Sequence, residues 1–477
     1  MNIKKILIAN RGEIAIRIGR ACNELDIQTV AIYTYEDRYS LHRYKADEAY
    51  QIGEDNDPLK PYLDIDAIIE MAKYSGVDAI HPGYGFLSEN QEFAKRCAQA
   101  GIIFIGPRPD VMRALGDKVI AKTVAKKAHI PIIESNEGAL NTLEDALSEA
   151  VRIGYPLILK AASGGGGRGM RVVCTDDELK KSFNEARSEA KNAFGDDTIF
   201  LEKFIERPRH IEVQIVADNY QNVVHLYERD CSVQRRFQKV VEFAPSLNLK
   251  DETRQKIYEY AVAIAKAVNY NNVGTVEFLV DSDEHIYFIE VNPRIQVEHT
   301  VTEMITGIDL IKTQIYVADG YHLSAVEVGL GDQSKIMKHG FAMQCRITTE
   351  DPASDFKPDY GTLITYRNAA GFGVRLDEGS TYPGMRISPF FDSMLVKVST
   401  WGTTLFDASR KMNRALREFR IRGLKNNIQF LENIINHPTF IEGKATVNFI
   451  QEHPDLFHIE TRLDRGTRIL SFLADVS

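Results

Sequence analysis

Residues 288–300 read FIEVNPRIQVEHT. Successive side chains of an extended chain point to opposite faces. Read as a strand, this stretch puts Glu290, Asn292, Arg294, Gln296 and Glu298 on one side and Ile289, Val291, Pro293, Ile295 and Val297 on the other. One face is packed and the other wet. A merely solvated strand face usually carries Lys, Thr and Ser; here two carboxylates, two amides and a guanidinium recur at two-residue spacing, a polar row suited to binding.

The residues before it make the row one arm of a hairpin. VGTVEFLV (273–280) has strand composition, DSDE (281–284) has turn chemistry, and HIYFIEV (285–291) returns. A turn centred on Asp283-Glu284 sets Glu277 opposite Glu290. Opposed residues have Cβ atoms about 4.5–5.5 Å apart, and like charges there destabilise the pair. A divalent cation removes that repulsion. Two carboxylates and the Asn292 amide form a hard oxygen set of the kind Mg²⁺ takes alongside substrate phosphates, so Glu277, Glu290 and Asn292 are the expected metal site.

With 477 residues the chain can build two or three packed units. Its 44% hydrophobic and 26% charged content is that of a globular protein, and a net charge of −9 argues against a nucleic-acid partner. Cys22, Cys97, Cys174, Cys231 and Cys345 show no paired spacing, which points to buried thiols in a reducing compartment. No apolar run reaches the length of a membrane span, and MNIKK leads straight into a strand without a targeting pattern. A cytoplasmic enzyme without a membrane partner is the expectation.

KKILIAN (4–10), a helix over 11–26 and QTVAIYT (28–34) open a doubly wound α/β unit. Its turn, Asn10-Arg11-Gly12-Glu13, lacks the dinucleotide fingerprint. A helix at 64–75, a strand at 77–83, the turn Tyr84-Gly85, a helix at 89–100 and a strand at 102–107 complete a unit spanning 1–115. In a linker over 116–135, a helix at 116–128 carries Lys118 in its first turn, where the helix dipole disfavours a cation; that marks Lys118 as a functional candidate. In YPLILKAASGGGGRGMRVVC (155–174) a strand ends in Lys160, a loop holds Gly164, Gly165, Gly166, Gly167 and Gly169, and a second strand starts at Arg171. This is the layout of a mobile hairpin tip whose N–H groups wrap phosphates. A helix at 176–195 and a strand at 198–204 close a small unit, 136–204.

Antiparallel strands are expected at 209–218, 222–234 and 238–246, with His210, Glu212 and Gln214 alternating against Ile211, Val213 and Ile215. A helix at 251–268, the hairpin, a helix at 303–319 and a strand at 340–347 bearing Arg346 follow. More β-structure over 360–400 and helices at 405–420 and 427–436 complete a unit 205–450, with a tail at 451–477.

IANRGEIAIRI (8–18), HPGYGFLSEN (81–90), GGGGRGM (164–170), the stretch 231–241 and FIEVNPRIQVEHTVTE (288–303) together resemble the biotin carboxylases of the ATP-grasp superfamily, over nearly the whole chain. HRYKADEAYQIG (42–53), FAMQCRITTEDP (341–352), FGVRLDEG (372–379), ISPFFDSMLVKVS (387–399) and the tail DRGTRILSFLADVS (464–477) are similar to the biotin carboxylase domain of pyruvate carboxylases. The resemblance implies an ATP-grasp fold: an N-terminal doubly wound α/β domain, a mobile glycine-rich lid and a C-terminal antiparallel-sheet domain leading to a further domain. It implies that ATP and bicarbonate give carboxyphosphate, whose CO₂ passes to N1′ of carrier-bound biotin.

By the same resemblance Lys118, Lys160 and the loop 164–169 hold phosphates, Glu202 and Lys203 line the adenine side, and His210 with Gln234 faces the nucleotide, His210 at the ribose. Glu277, Glu290 and Asn292 take Mg²⁺ or Mn²⁺, two ions in all. Lys239, Arg294, Gln296 and Val297 position bicarbonate, and Glu298 deprotonates it. Arg346 stabilises the biotin enolate and Tyr84 lies along the biotin pocket. The implied partners are a biotinylated carrier, a carboxyltransferase domain and a second copy of the chain or more. One position departs: between Arg236 and Gln238, where the family commonly has histidine, stands Phe237. Competing readings are the biotin carboxylase subunit of another acyl- or oxoacid carboxylase, a different ATP-grasp ligase working through an acyl-phosphate, and a nucleotide-binding protein without catalysis.

Overall fold

In a computed structural model that describes residues 1–136, 138, 140, 142–161, 170–194, 197–459 and 465–476, the first sheet is built from β1 (Lys5–Ile8), β2 (Gln28–Tyr33), β3 (Glu48–Gln51), β4 (Ala79–His81) and β5 (Ile103–Phe104). All its pairings are parallel, in the order β3-β2-β1-β4-β5. Helix α1 (Gly12–Glu24) returns the chain from β1 and buries Ile14, Ala15, Ile18 and Ala21 in the core. The order reverses between β1 and β4, and in open parallel sheets ligands bind beyond the carboxyl ends of the strands at such a point. The turns found there are Asn10–Glu13 and Pro82–Gly85. Gly83 has φ +63°, and a Cβ on it would lie 2.9 Å from Asn10 Nδ2, so glycine is what lets the two turns close together.

Helices α2 (Ile65–Ser75), α3 (Gln91–Gln99) and α4 (Pro109–Gly116) complete this part. The chain is extended at Asp117, whose carboxylate accepts the Ile120 N–H at 3.1 Å and opens α5 (Lys118–Lys127). Lys118 does stand in the first turn of its helix; its side chain lies outside the described part of the structure. After α6 (Leu143–Ile153), β6 (Leu157–Ala161), β7 (Met170–Val173), α7 (Asp176–Phe194) and β8 (Ile199–Lys203) form a small antiparallel sheet in the order β7-β6-β8. Leu157, Leu159, Leu201 and Phe183 make its core. Gly164, Gly165, Gly166, Gly167 and Gly169 lie outside the described residues.

The third sheet has eight antiparallel strands. β9 (Arg209–Ala217), β10 (Val223–Arg235), β11 (Gln238–Ala244), β12 (Asn272–Val280), β13 (Ile286–Asn292), β14 (Phe341–Thr348), β15 (Val374–Glu378) and β16 (Met394–Gly402) run in the order β13-β12-β9-β10-β11-β14-β16-β15. Helix α8 (Asp251–Ala267) covers one face through Ile257, Ala261 and Ile264.

Glu277 pairs with Glu290, as expected, but Phe278 already pairs with Phe288. Ile289 is therefore the extra residue of a β-bulge, and it joins Glu290 in lining a cavity rather than sharing the packed side of Val291. The strand also stops at Asn292, well short of Thr300. Pro293 has no N–H for the ladder, and after an irregular passage α9 (His299–Thr306) begins, with Glu298 at its N-cap. The single helix expected over 303–319 is two. Gly307 closes α9 at φ +73°, and Asp309 accepts the Lys312 N–H at 2.9 Å to start α10 (Leu310–Ala318). Four of the five thiols are buried, but Cys174 is exposed. Among the described residues no helix is long and apolar enough to cross a membrane.

Candidate active site

A cavity of about 1640 Å³ opens where the three sheets meet, with Tyr84, Lys160, Glu202, Lys239, Glu290, Arg294, Glu298 and Arg346 among its lining residues. Its floor follows from strand register. Glu290, Glu277 and Glu212 stand side by side on β13, β12 and β9, and Arg229 of β10 sits opposite Glu212. Adjacent carboxylates repel, so cations must reach them.

Lys239 supplies the first. Its ammonium lies 2.5 Å from Glu212, 2.9 Å from Glu277 and 2.6 Å from Glu298. Burial disfavours its charge, but these three carboxylates hold its pKa well above the ordinary lysine value. Glu277 accepts in addition from His210 Nε2 at 2.8 Å, Asn292 Nδ2 at 2.9 Å and Gln296 Nε2 at 2.8 Å. Burial pushes the Glu277 pKa up, but Lys239 and His210 outweigh it and keep the carboxylate well below its usual range. The cation expected for the opposed pair is thus met, on the Glu277 side, by a side chain of the protein.

A hard cation still fits beside it. Glu290 reaches the same cavity. Among the described residues, Glu277 Oε2 is matched with His210 and Oε1 takes the other three donors. The Asn292 carbonyl oxygen accepts from Arg294 Nη2 at 3.0 Å. The ligand atoms that Glu277, Glu290 and Asn292 would offer are oxygens, the set that suits Mg²⁺ or Mn²⁺.

Arg229 exposes none of its surface and spends all five N–H groups, on Glu212, Gln214, Thr302, Thr275 and Gln296. A guanidinium only donates, so it fixes the carbonyl end of Gln296 toward itself and the amide end toward Glu277. Glu298 accepts from Lys239 and, at 3.1 Å, from Arg346, which also meets Glu242. Burial opposes ionisation of Glu298, but Lys239, Arg346 and Arg229 keep it a carboxylate far below the usual range. Glu242 differs: burial raises its pKa and Arg346 offsets only part of the effect. Arg294 does not pair with Glu298. Its Nε lies 3.2 Å from Glu89.

On the small sheet, the Glu202 carboxylate is bonded by Lys160 of the same sheet and by Lys122 of α5. Burial raises the Glu202 pKa, and the two lysines more than reverse it. Lys203 lines the cavity, but its ammonium donates to the carbonyls of Gly154 at 2.9 Å and Tyr155 at 2.7 Å. His210 stands between Gln234, whose amide donates to Nδ1 at 2.8 Å, and Glu277. Val297 turns its carbonyl to Lys397 at 3.1 Å. The Tyr84 hydroxyl bonds Glu13, and burial and Glu13 both raise its pKa.

Lys122, Glu212, Arg229, Glu242, Glu13 and Lys397 were given no role in the site, although Glu13 and Lys397 lie within quoted motif stretches. Two signals could have found members of this set: Lys122 stands one helical turn after Lys118, and Glu212 shares the alternation of His210 and Gln214.

Family models match the chain in three consecutive parts. These are the biotin carboxylase N-terminal domain at 2–112, the ATP-binding domain of the carbamoyl-phosphate synthase L chain at 117–326 and the biotin carboxylase C-terminal domain at 344–452. Pyruvate carboxylase of Bacillus subtilis is 55% identical over 476 residues, which are 100% of this chain and 41% of that protein. The chain therefore spans about two fifths of the length of the curated relatives it matches. Among solved structures, the biotin carboxylase domain dimer of Hydrogenobacter thermophilus 2-oxoglutarate carboxylase, in complex with MgADP, ADP and bicarbonate, superposes with a TM-score of 0.90. It is 45% identical, over 96% of this chain and 99% of that one. A Campylobacter jejuni biotin carboxylase–β,γ-ATP complex gives a TM-score of 0.89 at 44% identity, over 95% and 99%.

Proposed function

The chain belongs to the biotin carboxylase family, and from that premise we propose that it uses ATP to convert bicarbonate to carboxyphosphate and passes the CO₂ to N1′ of a biotin held by a carrier. The observation that carries this reading is the Glu298 carboxylate flanked by Lys239 and Arg346 on the floor of one large cavity. Bicarbonate must lose a proton before its oxygen can attack a γ-phosphate, which calls for a carboxylate next to the cations that bind the anion.

In the resting site Lys239 and Arg346 suppress the basicity of Glu298. A bicarbonate bound by Lys239, Arg294, Gln296 and the Val297 backbone shares those charges, so Glu298 becomes a better base only when its substrate is present. Lys160, freed from Glu202 by the ATP phosphates, steadies them together with Lys118 and the glycine loop 164–169. Glu202, Lys203, His210 and Gln234 border the nucleoside. Glu277, Glu290 and Asn292 would hold Mg²⁺ or Mn²⁺, which neutralises phosphate charge in phosphoryl transfer. Arg346 faces the ureido oxygen of biotin, where negative charge develops as N1′ becomes nucleophilic, and Tyr84 walls that side.

We propose further that the carboxybiotin serves a carboxyltransferase acting on pyruvate, that the biotin sits on a carrier domain, and that the chain works in the cytoplasm as a homodimer or higher oligomer. The name of the B. subtilis relative supports pyruvate as the acceptor, and the dimer named for the H. thermophilus domain supports association of two copies. The test is phosphate release from MgATP with and without bicarbonate and free biotin. Cleavage that needs bicarbonate and rises with biotin is expected; ATP hydrolysis indifferent to both would sink the reading. Adding the carrier and carboxyltransferase parts of a pyruvate carboxylase should then yield oxaloacetate from pyruvate.

A further inference from the structure

The turn Asn10-Arg11-Gly12-Glu13 has no part in the chemistry above, yet two of its side chains end on the Tyr84 turn. Asn10 Nδ2 donates to the carbonyls of Pro82 at 2.7 Å and Tyr84 at 2.9 Å, and the Glu13 carboxylate accepts the Tyr84 hydroxyl. The same Glu13 oxygen is held from the other side by Lys397, at 3.0 Å. Lys397 Nζ donates in turn to the Val297 carbonyl at 3.1 Å. A continuous run of contacts therefore joins Tyr84, at the switch point of the first sheet, to Val297, the residue before Glu298, and all three line the same cavity.

Lys397 is fully buried and Glu13 nearly so. A buried ammonium is unfavourable unless it is paired, and an apolar side chain of similar volume would fill the position as stably or better. Such a pair is most simply explained by the geometry it specifies. The placement agrees: Lys397 sits opposite Arg346 in the ladder of β14 and β16, so the pair braces the strand that presents the guanidinium to Glu298. Glu13 Oε2 has no hydrogen-bond partner, and the residue acts through Oε1 alone.

We propose that Glu13 and Lys397 are positioning residues for the acceptor side of the site: they set the gap between Tyr84 and the Val297–Glu298 segment, the gap that receives the fused rings of biotin. This rests on the biotin carboxylase reading. Lys160 and Glu202 stand on another sheet, so losing the brace should open the biotin side and leave the nucleotide side unchanged.

The experiment uses the full chain with Glu13→Gln, Lys397→Met and Tyr84→Phe, singly, and Glu13→Gln combined with Tyr84→Phe. Free biotin and ATP are titrated in bicarbonate-dependent phosphate release. Each single variant should raise the KM for biotin roughly tenfold, the worth of one lost charge-assisted hydrogen bond, with the KM for ATP within about twofold of the parent. The Glu13–Tyr84 double variant should be no worse than either single. Equal rises for ATP and biotin, or additive effects in the double variant, would overturn the inference. If Lys397→Met does not fold, Lys397→Arg keeps the charge and should stay near the parent, and Glu13→Gln carries the test. A parent without biotin-stimulated cleavage would overturn the functional reading and this assignment together; an active parent with unmoved biotin KM values overturns this assignment alone.

Discussion

The Lys239 ammonium lies 2.6 Å from the Glu298 carboxylate, so the residue proposed as a base is held by a cation before any substrate arrives. The same lysine serves Glu277 at 2.9 Å, which ties the proton-transfer end of the site to the metal end. The contact separates two roles for Glu298. As a base, its replacement removes a chemical step; as a structural counter-ion, its replacement releases Lys239 and weakens everything Lys239 touches.

Glu298→Gln should therefore bind ATP like the parent and lose bicarbonate-dependent cleavage by about 10²–10⁴-fold, the usual span for a general base. Glutamine keeps one carbonyl oxygen to accept from Lys239, and Arg346 keeps Glu242 as its partner, so the cluster should hold although the amide NH2 replaces the oxygen that faced Arg346. ATP affinity by calorimetry beside single-turnover phosphate release decides the matter: weakened ATP binding with near-normal turnover points to the counter-ion role.

Glu277→Gln tests the compensation of the carboxylate row. Opposed carboxylates alone would make removal of one charge stabilising, by about 0.2–1 kcal/mol. Glu277 instead accepts from Lys239, His210, Asn292 and Gln296, and an amide cannot satisfy four donors. Loss of roughly 1–3 kcal/mol is expected, together with a higher Mg²⁺ concentration for half-maximal turnover. A melting temperature equal to or above the parent's, without metal, would refute this.

Acid sensitivity should come in part from His42. It is buried, and burial lowers its pKa from 6.5 to about 4, only partly offset by Asp37. Unfolded His42 takes up a proton near pH 6.5 and the folded residue does not until about pH 4, so protons favour the unfolded chain in that window. Stability is full above pH 6.5 and falls as pH drops toward 4, by roughly 3 kcal/mol in all. Melting curves from pH 7 to 4 on the parent and His42→Gln should converge as pH falls. A parallel pair of curves would remove His42 from the account.

The hairpin was legible because alternation and turn chemistry are local signals, but the turn alone sets Val280 against Ile286, a register that would face Glu277 with Ile289, and it is the bulge at Ile289 that brings Glu290 opposite Glu277. The same alternation, carried past Asn292, predicted a strand that Pro293 ends, yet Gln296 and Glu298 still converge with Glu277. They do so through the entry to α9, which no period-two pattern contains. Gly307 was the visible sign that 303–319 is two helices. Arg229, Glu242, Glu13 and Lys397 were illegible for a different reason. Each reads locally as an ordinary charged residue in or near a strand or helix, and what makes it part of the site is a partner tens to hundreds of residues away in the chain.

The last expectation concerns Phe237. Arg235 pairs with Gln238, so Arg236 and Phe237 form a two-residue hairpin loop, with φ of +49° and +65°. Two positive φ values are the demand of a type I′ turn, whose usual residues are Asn and Gly. A phenylalanine there is strained by about 1–2 kcal/mol, and the residue is 58% exposed at the cavity, so burial cannot be what repays the strain. Asn enters the left-handed region far more easily. Phe237→Asn should raise stability by about 0.5–1 kcal/mol while raising the KM for ATP, which would mark the ring as a nucleotide contact retained at the expense of the turn. Thermal melting and an ATP titration of the same preparation read both effects. Gain of stability with an unchanged KM would show that the ring does nothing for the nucleotide, and unchanged stability would show that the turn is not strained.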